Sequence, residues 1–358
     1  MTSISTLGQA LDQIGRIKLT QSQLSTLAYQ LSSGKKTDSF KGLGTDVITS
    51  QRARSSMAQL TKFNQNITVA DRRIKMMVNS LEQVKTQAGN VVSALNVQTQ
   101  QGEYEMSAVS DLAKKALQFV KNLVNEQDGD RYLFGGAETR TQPLNDRGTL
   151  DTYAKTQLDN WINGTLTTDE LISSYRDSGA LGDNIIGYSP ALSSGNVKSA
   201  YVRVDEYTEI DYTVLGNDPG VRDIIVALSM VENLDVMLDK VAAEDSDPAG
   251  TVTAPGVGRE EQNENFYRLF NDLAVMLNEG IKNINNNLYS LSQDQAQIDQ
   301  IKKAHTLEKS ILEQTIDDVE NVDLNEVAVK LNALQIQLEA SYRVTASLSQ
   351  LTLANFLR

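Results

Sequence analysis

Residues 324–338 read LNEVAVKLNALQIQL, with leucine at 324, 331 and 338 and an apolar residue at Val327 and Leu334. That near-heptad spacing is the signature of a helix that buries one seam against another helix. The apolar run continues through Tyr342 and Leu348 to Leu351, Leu353, Phe356 and Leu357 at the end of the chain. Chain ends ordinarily fray, so an apolar stripe placed there needs a partner. That partner is the opposite end of the chain, a neighbouring subunit, or both, and the opposite end carries a stripe of its own. Ile4, Leu7, Leu11, Ile14 and Ile17, then Leu24, Leu27 and Leu31, recur every three or four positions. The step from Ile14 to Ile17 shifts the seven-residue phase, as an insertion of three or four residues does in a coiled coil. Ser32-Ser33-Gly34 then predicts a helix end, with Gly34 as a left-handed cap.

Working inward, residues 35–45 (KKTDSFKGLGT) read as an extended or looped connector. A second helix is expected from Thr45 or Asp46 to about Val97, on the stripe Leu60, Phe63, Ile67, Ala70, Ile74, Met77, Leu81, Val84, Ala88 and Val91. At about 1.5 Å per residue such a helix spans roughly 75 Å. Gln98 to Gly102 should turn the chain into a third helix from Tyr104 to about Asn125. Asp128-Gly129-Asp130 reads as a hairpin turn and Arg131 to Phe134 as a short strand. On the C-terminal side, the helical pattern runs from Arg259 through Phe266, Phe270, Leu273, Leu277, Ile284, Leu291, Ile298 and Ile311 to Val319, with a break at Asn321 to Asp323.

The centre differs in kind. All five prolines, from Pro143 to Pro255, lie there, as does Trp161, the one tryptophan of the 358 residues. Proline removes a helix hydrogen bond and clashes with the preceding turn, so its absence elsewhere leaves both arms free to form long helices. Val202 and Val204, then Ile210, Tyr212 and Val214, alternate with polar residues as half-buried strands do. Asp151 to Leu158 and Asp169 to Tyr175 predict short helices, Val221 to Val241 a longer one, and 242–258 a returning loop. The expected fold class is mainly α: N- and C-terminal helices paired into a long coiled-coil-like rod, carrying a central α+β insert.

Composition narrows the function. Apolar residues make up 40% and charged residues 22%, as in folded soluble proteins. No stretch approaches the roughly 18 consecutive apolar residues of a membrane helix. The opening MTSISTLGQALDQIG lacks both a charged leader and an unbroken apolar core, which argues against a cleaved secretory signal. The net charge of −13 disfavours a general nucleic-acid binder. The charge is uneven, however: residues 1–75 hold eleven Lys/Arg against four acids, while 299–340 hold nine acids against four Lys/Arg. The basic segment lacks interleaved aromatics, so it reads as a solvated face that meets an acidic helix rather than a nucleic-acid surface.

No catalytic constellation emerges. The chain has no cysteine, which removes disulfides, thiolate metal sites and thiol nucleophiles together. Its one histidine, His305, lies in a polar helical segment and reads as a surface residue. Asp317, Asp318, Glu320 and Asp323 could gather a divalent cation but read first as a solvated helix end. Gly42-Leu43-Gly44 lacks the strand and third glycine of a phosphate loop. No catalytic residue, cofactor or metal site is therefore expected.

Several stretches taken in order resemble the flagellin family: LSSGKK at 31–36, QRARSSMAQLTKFNQNITVADRRI at 51–74, GDRYLFGG at 129–136, IDDVENVDLNEVAVKLNALQIQLEAS at 316–341 and LSQLTLANFL at 348–357. The resemblance covers about residues 1–138 and 259–358. Within the family, Asn64-Gln65-Asn66-Ile67 stands where filament-forming members usually carry Asn-Asp-Gly, and YLFGG at 132–136 is closer to hook-associated members. The connector Phe40 to Asp46 departs from the family, lacking its double acidic residue and proline.

The resemblance implies three parts: terminal inner-tube helices at 1–44 and 322–358, a helical rod with a β-hairpin at 45–138 and 259–321, and an outer insert at 139–258. It also implies a non-enzymatic structural subunit of an extracellular flagellum, exported without a cleaved signal. Its partners would be copies of itself in a ring or tube, another hook-associated protein, flagellin or hook protein, and an export chaperone, with no nucleic acid and no membrane insertion. The assembly contacts are expected from Ile4, Leu7, Leu11, Ile14, Leu24, Leu27 and Leu31 at one end. Leu331, Leu334, Leu338, Leu348, Leu351, Leu353, Phe356 and Leu357 supply them at the other. A filament-forming flagellin and a cytoplasmic coiled-coil adaptor remain alternative readings of the same stripes, and a hydrolase in the insert is a third.

Overall fold

A computed structural model of the chain describes residues 2–101, 106–145, 149–176, 181–235, 242–244, 252–255 and 259–356. The fold is mainly α. Four long helices dominate it: α1 (Thr2–Ser33), α2 (Asp46–Gln101), α9 (Arg259–Glu320) and α10 (Leu324–Phe356). Between them lie α3 (Met106–Val124), the strands β1 (Gln127–Asp128) and β2 (Arg131–Tyr132), and the short helices α4 (Leu150–Ile162), α5 (Thr168–Arg176), α6 (Asp183–Ile186) and α7 (Pro190–Ser193). Strands β3 (Tyr201–Arg203) and β4 (Glu209–Asp211), helix α8 (Pro219–Glu232), and strands β5 (Ala242–Glu244) and β6 (Val252–Pro255) complete the order. Each strand pairs only with its neighbour in sequence, antiparallel, giving three two-stranded ribbons among the described residues.

The chain divides into two units, residues 1–62 with 303–358, and residues 63–302, with α2 and α9 contributing to both. In the larger unit, α2 buries Ile67, Ala70, Ile74, Met77, Leu81, Val84, Ala88, Val91 and Leu95. Steps of three and four alternate without interruption along this stripe, so one face of the helix stays inside for eight turns. Met106, Val109, Ala113, Val120 and Val124 of α3, and Phe266, Phe270, Leu273, Leu277 and Ile284 of α9, belong to the same continuous core. The hairpin β1–β2 turns at Gly129, whose φ of 69° suits a residue without a Cβ. Arg72 and Arg73 of α2 both donate to the Asp128 carboxylate, at 2.8 and 2.9 Å.

The central segments extend this core rather than forming a separate one. Val202, Val204, Ile210, Tyr212 and Val214 are buried, as their alternation predicts, while Tyr201, Arg203 and Glu209 face water. Trp161 is buried, donates its indole N–H to Thr168 Oγ1 at 3.0 Å, and packs against Phe266 of α9 with ring centres 5.7 Å apart. Helix α8 crosses α9 at two glycines. A Cβ on Gly220 would stand 2.9 Å from Ile284 N and 3.0 Å from Gly280 O, so the backbones meet with no room for a side chain.

Several sequence expectations need correction. His305 is buried at 4% exposure, because it lies seven residues beyond Ile298 on the inward face of α9. Its polar neighbours in sequence sit on the other faces. Helix α8 ends at Glu232 rather than continuing to Val241, with Asn233 at its C-cap, and residues 236–241 lie outside the described residues. The expected loop at 242–258 contains the β5–β6 pair. Helix α2 continues to Gln101, past the turn expected at Gln98, and the strand expected at 131–134 is confined to β2. The connector holds a 3-10 turn at Phe40–Leu43.

Candidate assembly interface

In the smaller unit α1 packs along α10. The half-buried positions of α1 are Gln13, Ile17, Thr20, Leu24, Leu27 and Gln30, and the partly or fully buried ones of α10 include Val327, Leu331, Leu334, Leu338, Ser341 and Thr345. Both sets step by three and four residues in near-strict alternation, the spacing of a seam between supercoiled helices. Across this seam Gln21 Nε2 donates to Tyr342 Oη at 2.8 Å.

The phase shift between Ile14 and Ile17 now acquires a structural meaning. The seam follows the Ile17–Leu24 phase, which places Leu11 and Ile14 outside it, 61% and 57% exposed. Leu31, at the C-terminal end of α1, is also exposed. Of the residues expected to make assembly contacts, Leu24, Leu27, Leu331, Leu334 and Leu338 are half-buried within the helix pair itself. Ile4 and Leu7 lie on α1, and Leu348, Leu351, Leu353 and Phe356 on α10, but their side chains, and all of Leu357, are outside the described residues.

Sequence reading missed the apolar residues on the outer faces: Leu19 on α1, and Val329 and Ile336 on α10, each more than half exposed. Val329 and Ile336 stand seven residues apart, so they repeat on one face opposite Leu331 and Leu338. The signal that could have found them is a second apolar phase alongside the dominant one. Charge gives a further one. Only Asp12, Arg16 and Lys18 in α1, and Glu326, Lys330, Glu339 and Arg343 in α10, are charged. Two clefts of about 500 and 520 Å³ run between the helices and share Gln337, with Ala333, Leu334 and Leu27 lining one, and Ile17, Ala340 and Val344 the other.

A compact polar joint ties the base of this pair together. Gly34, at φ 70°, ends α1 by donating its N–H to Gln30 O at 2.9 Å. The next residues form a short antiparallel bridge with the α9–α10 break. Lys36 N donates to Glu320 O at 2.7 Å and Val322 N to Gly34 O at 2.9 Å. Glu320, expected as part of a solvated helix end, is instead buried and accepts both arms of Arg54 and the Ser50 hydroxyl. The Arg54 hydrogen bonds, joined by Ser50 and opposed by burial, hold the Glu320 carboxyl down at about 2.

The neighbouring acids have separate tasks. Asp317 accepts from Asn321 Nδ2 at 2.9 Å, and Asp323 caps α10 by accepting from Asn325 N at 2.8 Å. Among the described residues no three His, Cys, Asp or Glu side chains gather as a metal site. No described helix is long and apolar enough to cross a membrane. The interactions described in this region are those of helix pairing.

No protein-family model matches the chain, and no curated protein matches it. Among solved structures it is similar to a Vibrio parahaemolyticus protein described as flagellar hook-associated, at 13% identity and a TM-score of 0.47, over 77% of this chain and 97% of that one. It is also similar to FlgL of Bacillus cereus, at 13% identity and a TM-score of 0.38, over 75% of this chain and 97% of that one. At these values neither likeness bears on function.

Proposed function

We propose that this chain is a structural subunit of the bacterial flagellum, a hook-associated adaptor of the FlgL type that joins hook to filament by assembling through its terminal helices. The observation that carries the reading is the outer face of the α1–α10 pair. Leu11, Ile14, Leu19, Val329 and Ile336 are exposed on two helices with few charges, a composition suited to the covered centre of a protein interface. The order of flagellin-like stretches from LSSGKK at 31–36 to LSQLTLANFL at 348–357 supplies the biological setting.

In this reading the terminal segments 1–44 and 322–358 line an inner tube, 45–138 with 259–321 carry the load, and 139–258 faces outward. Copies of the same chain are its first partners. Another hook-associated protein, hook protein or flagellin lies at each end of the ring, and an export chaperone covers the C-terminal helix before secretion without a cleaved signal.

Immunogold labelling with antibody to residues 139–258 tests the placement. A single band between hook and filament is expected. Label along the whole filament would assign the chain as a flagellin, and label confined to the cell interior would favour the cytoplasmic adaptor.

A further inference from the structure

A second feature, independent of assembly, lies where α6 meets the start of α8. Tyr188 and Arg222 are both more than nine-tenths buried, and neither Tyr188 Oη nor Arg222 Nε has a hydrogen-bond partner among the described residues. Asp183 contacts the backbone of Tyr188 and faces the side chain of Arg222. Its backbone carbonyl accepts from Tyr188 N at 3.0 Å, and its Oδ1 stands 3.6 Å from Arg222 Nε, too far for a direct hydrogen bond. The remaining groups are engaged elsewhere: Arg222 donates through its second terminal nitrogen to Leu181 O at 2.7 Å, and Asp183 Oδ2 accepts from Asn217 Nδ2 at 2.9 Å.

An unpaired buried hydroxyl or guanidinium N–H carries a large desolvation cost, and native proteins rarely leave one unmet. We propose that this corner is a binding site for one structural water, which accepts from Arg222 Nε, donates to Asp183 Oδ1 and completes its shell with Tyr188 Oη. Three observations select water. A separation of 3.6 Å is too long for direct bonding and invites a bridge. The site joins a donor, an acceptor and a hydroxyl that can be either, which matches the two donors and two acceptors of water. Its charge is mixed: the Arg222 guanidinium opposes a cation, while Asp183 and Asp223 oppose an anion.

The Tyr188 hydroxyl senses the same neighbours. Burial, then the Asp183 carboxylate, push its pKa up, with Arg222 opposing, so the hydroxyl keeps its proton and can donate. The water would link Leu181–Tyr188 to the first turn of α8 beside the Arg222–Leu181 hydrogen bond.

A crystal structure of the full chain, together with thermal melts of wild type and Tyr188→Phe, tests this. The expected result is an ordered water within about 3 Å of all three atoms, and a melting temperature lowered by a few degrees in Tyr188→Phe. A hydroxyl that truly had no partner would make Tyr188→Phe neutral or stabilising. That result, an empty site in the electron density, or a direct Tyr188–Arg222 bond would overturn the proposal. Should Tyr188→Phe fail to fold, the wild-type density together with Arg222→Lys, which lacks Nε and should lose the water, decides the matter.

Discussion

Arg54 holds Glu320 through both arms of its guanidinium, Nε to Oε1 at 2.9 Å and a terminal nitrogen to Oε2 at 2.7 Å, across 266 residues of sequence. The carboxylate is buried while Arg54 is about half exposed. Truncating either side therefore has unequal effects: losing Arg54 leaves a buried charge with only the Ser50 hydroxyl and Lys35 at 4.0 Å, and losing the charge of Glu320 leaves a cation that water can solvate. Glu320→Gln should cost about 1–3 kcal/mol, toward the lower end because solvent screens Arg54. Arg54→Met should cost more. Chemical denaturation of both variants and of the double variant measures the coupling, and additive effects would show that the pair acts as two separate groups.

The same contact sets an acid response. The folded pKa of Glu320, about 2, lies below its ordinary value of 4.5, so folding favours the ionised form. The stabilisation is complete above about pH 4.5 and is lost as the pH falls toward 2. Wild type should therefore lose its advantage over Glu320→Gln progressively across that window. A constant difference between the two proteins from neutral pH down to about pH 2.5 would contradict this linkage.

Gly220 and Gly280 make the sharpest steric prediction. Gly220→Ala would press a methyl group against Ile284 N at 2.9 Å and Gly280 O at 3.0 Å, both backbone atoms that cannot rotate away. Overpacking of this kind costs about 1–3 kcal/mol. Gly280→Ala is overpacked as well, meeting Ile224 Cγ1 at 2.7 Å and Gly220 O at 3.0 Å, but in mid-helix it gains more from helix propensity. Thermal melts should rank Gly220→Ala below Gly280→Ala, with both below wild type.

Trp161 offers an intrinsic probe of the 63–302 unit. It is 2% exposed, hydrogen-bonded to Thr168 and packed on Phe266, so native emission should be blue-shifted and should move red in a single step on unfolding. Trp161→Ala should cost about 3–5 kcal/mol as a large-to-small core change. Native emission already at the wavelength of solvated tryptophan would place the ring outside the core.

The long helices were legible because their signal is repetitive. The stripe from Ile67 to Val91, the break at Asn321–Asp323 and the cap at Gly34 each rest on local chemistry, and the strands at Val202 and Ile210 rest on a clear two-residue period. What escaped the sequence depends on which face a helix turns inward. His305 reads as polar from its neighbours but lies in phase with Ile298. Glu320 belongs to an acidic run, yet its partners Ser50 and Arg54 are remote in sequence. Leu11 and Ile14 join Ile17 in a single apolar list until α10 selects one phase and leaves the other outside. Two apolar phases on one helix cannot be ranked without knowing the partner.

That distinction yields the test of assembly. An apolar residue outside the seam should affect association and little else, whereas one within it should affect folding of the pair. Ile336→Glu and Leu11→Glu remove exposed apolar surface, and burying such a side chain is worth about 1.5–3 kcal/mol. Each should raise the concentration needed for assembly by roughly tenfold or more, while the circular dichroism and melting of the dilute chain stay as in wild type. Leu334→Glu places a charge in the seam facing α1, and should lower helicity and assembly together. Sedimentation velocity and electron microscopy of the full chain over a concentration series, read beside circular dichroism, separate the two classes. If Ile336→Glu and Leu11→Glu assemble at the wild-type concentration, the outer face is not the contact surface. If they lose helicity like Leu334→Glu, the outer residues stabilise the chain itself rather than its association.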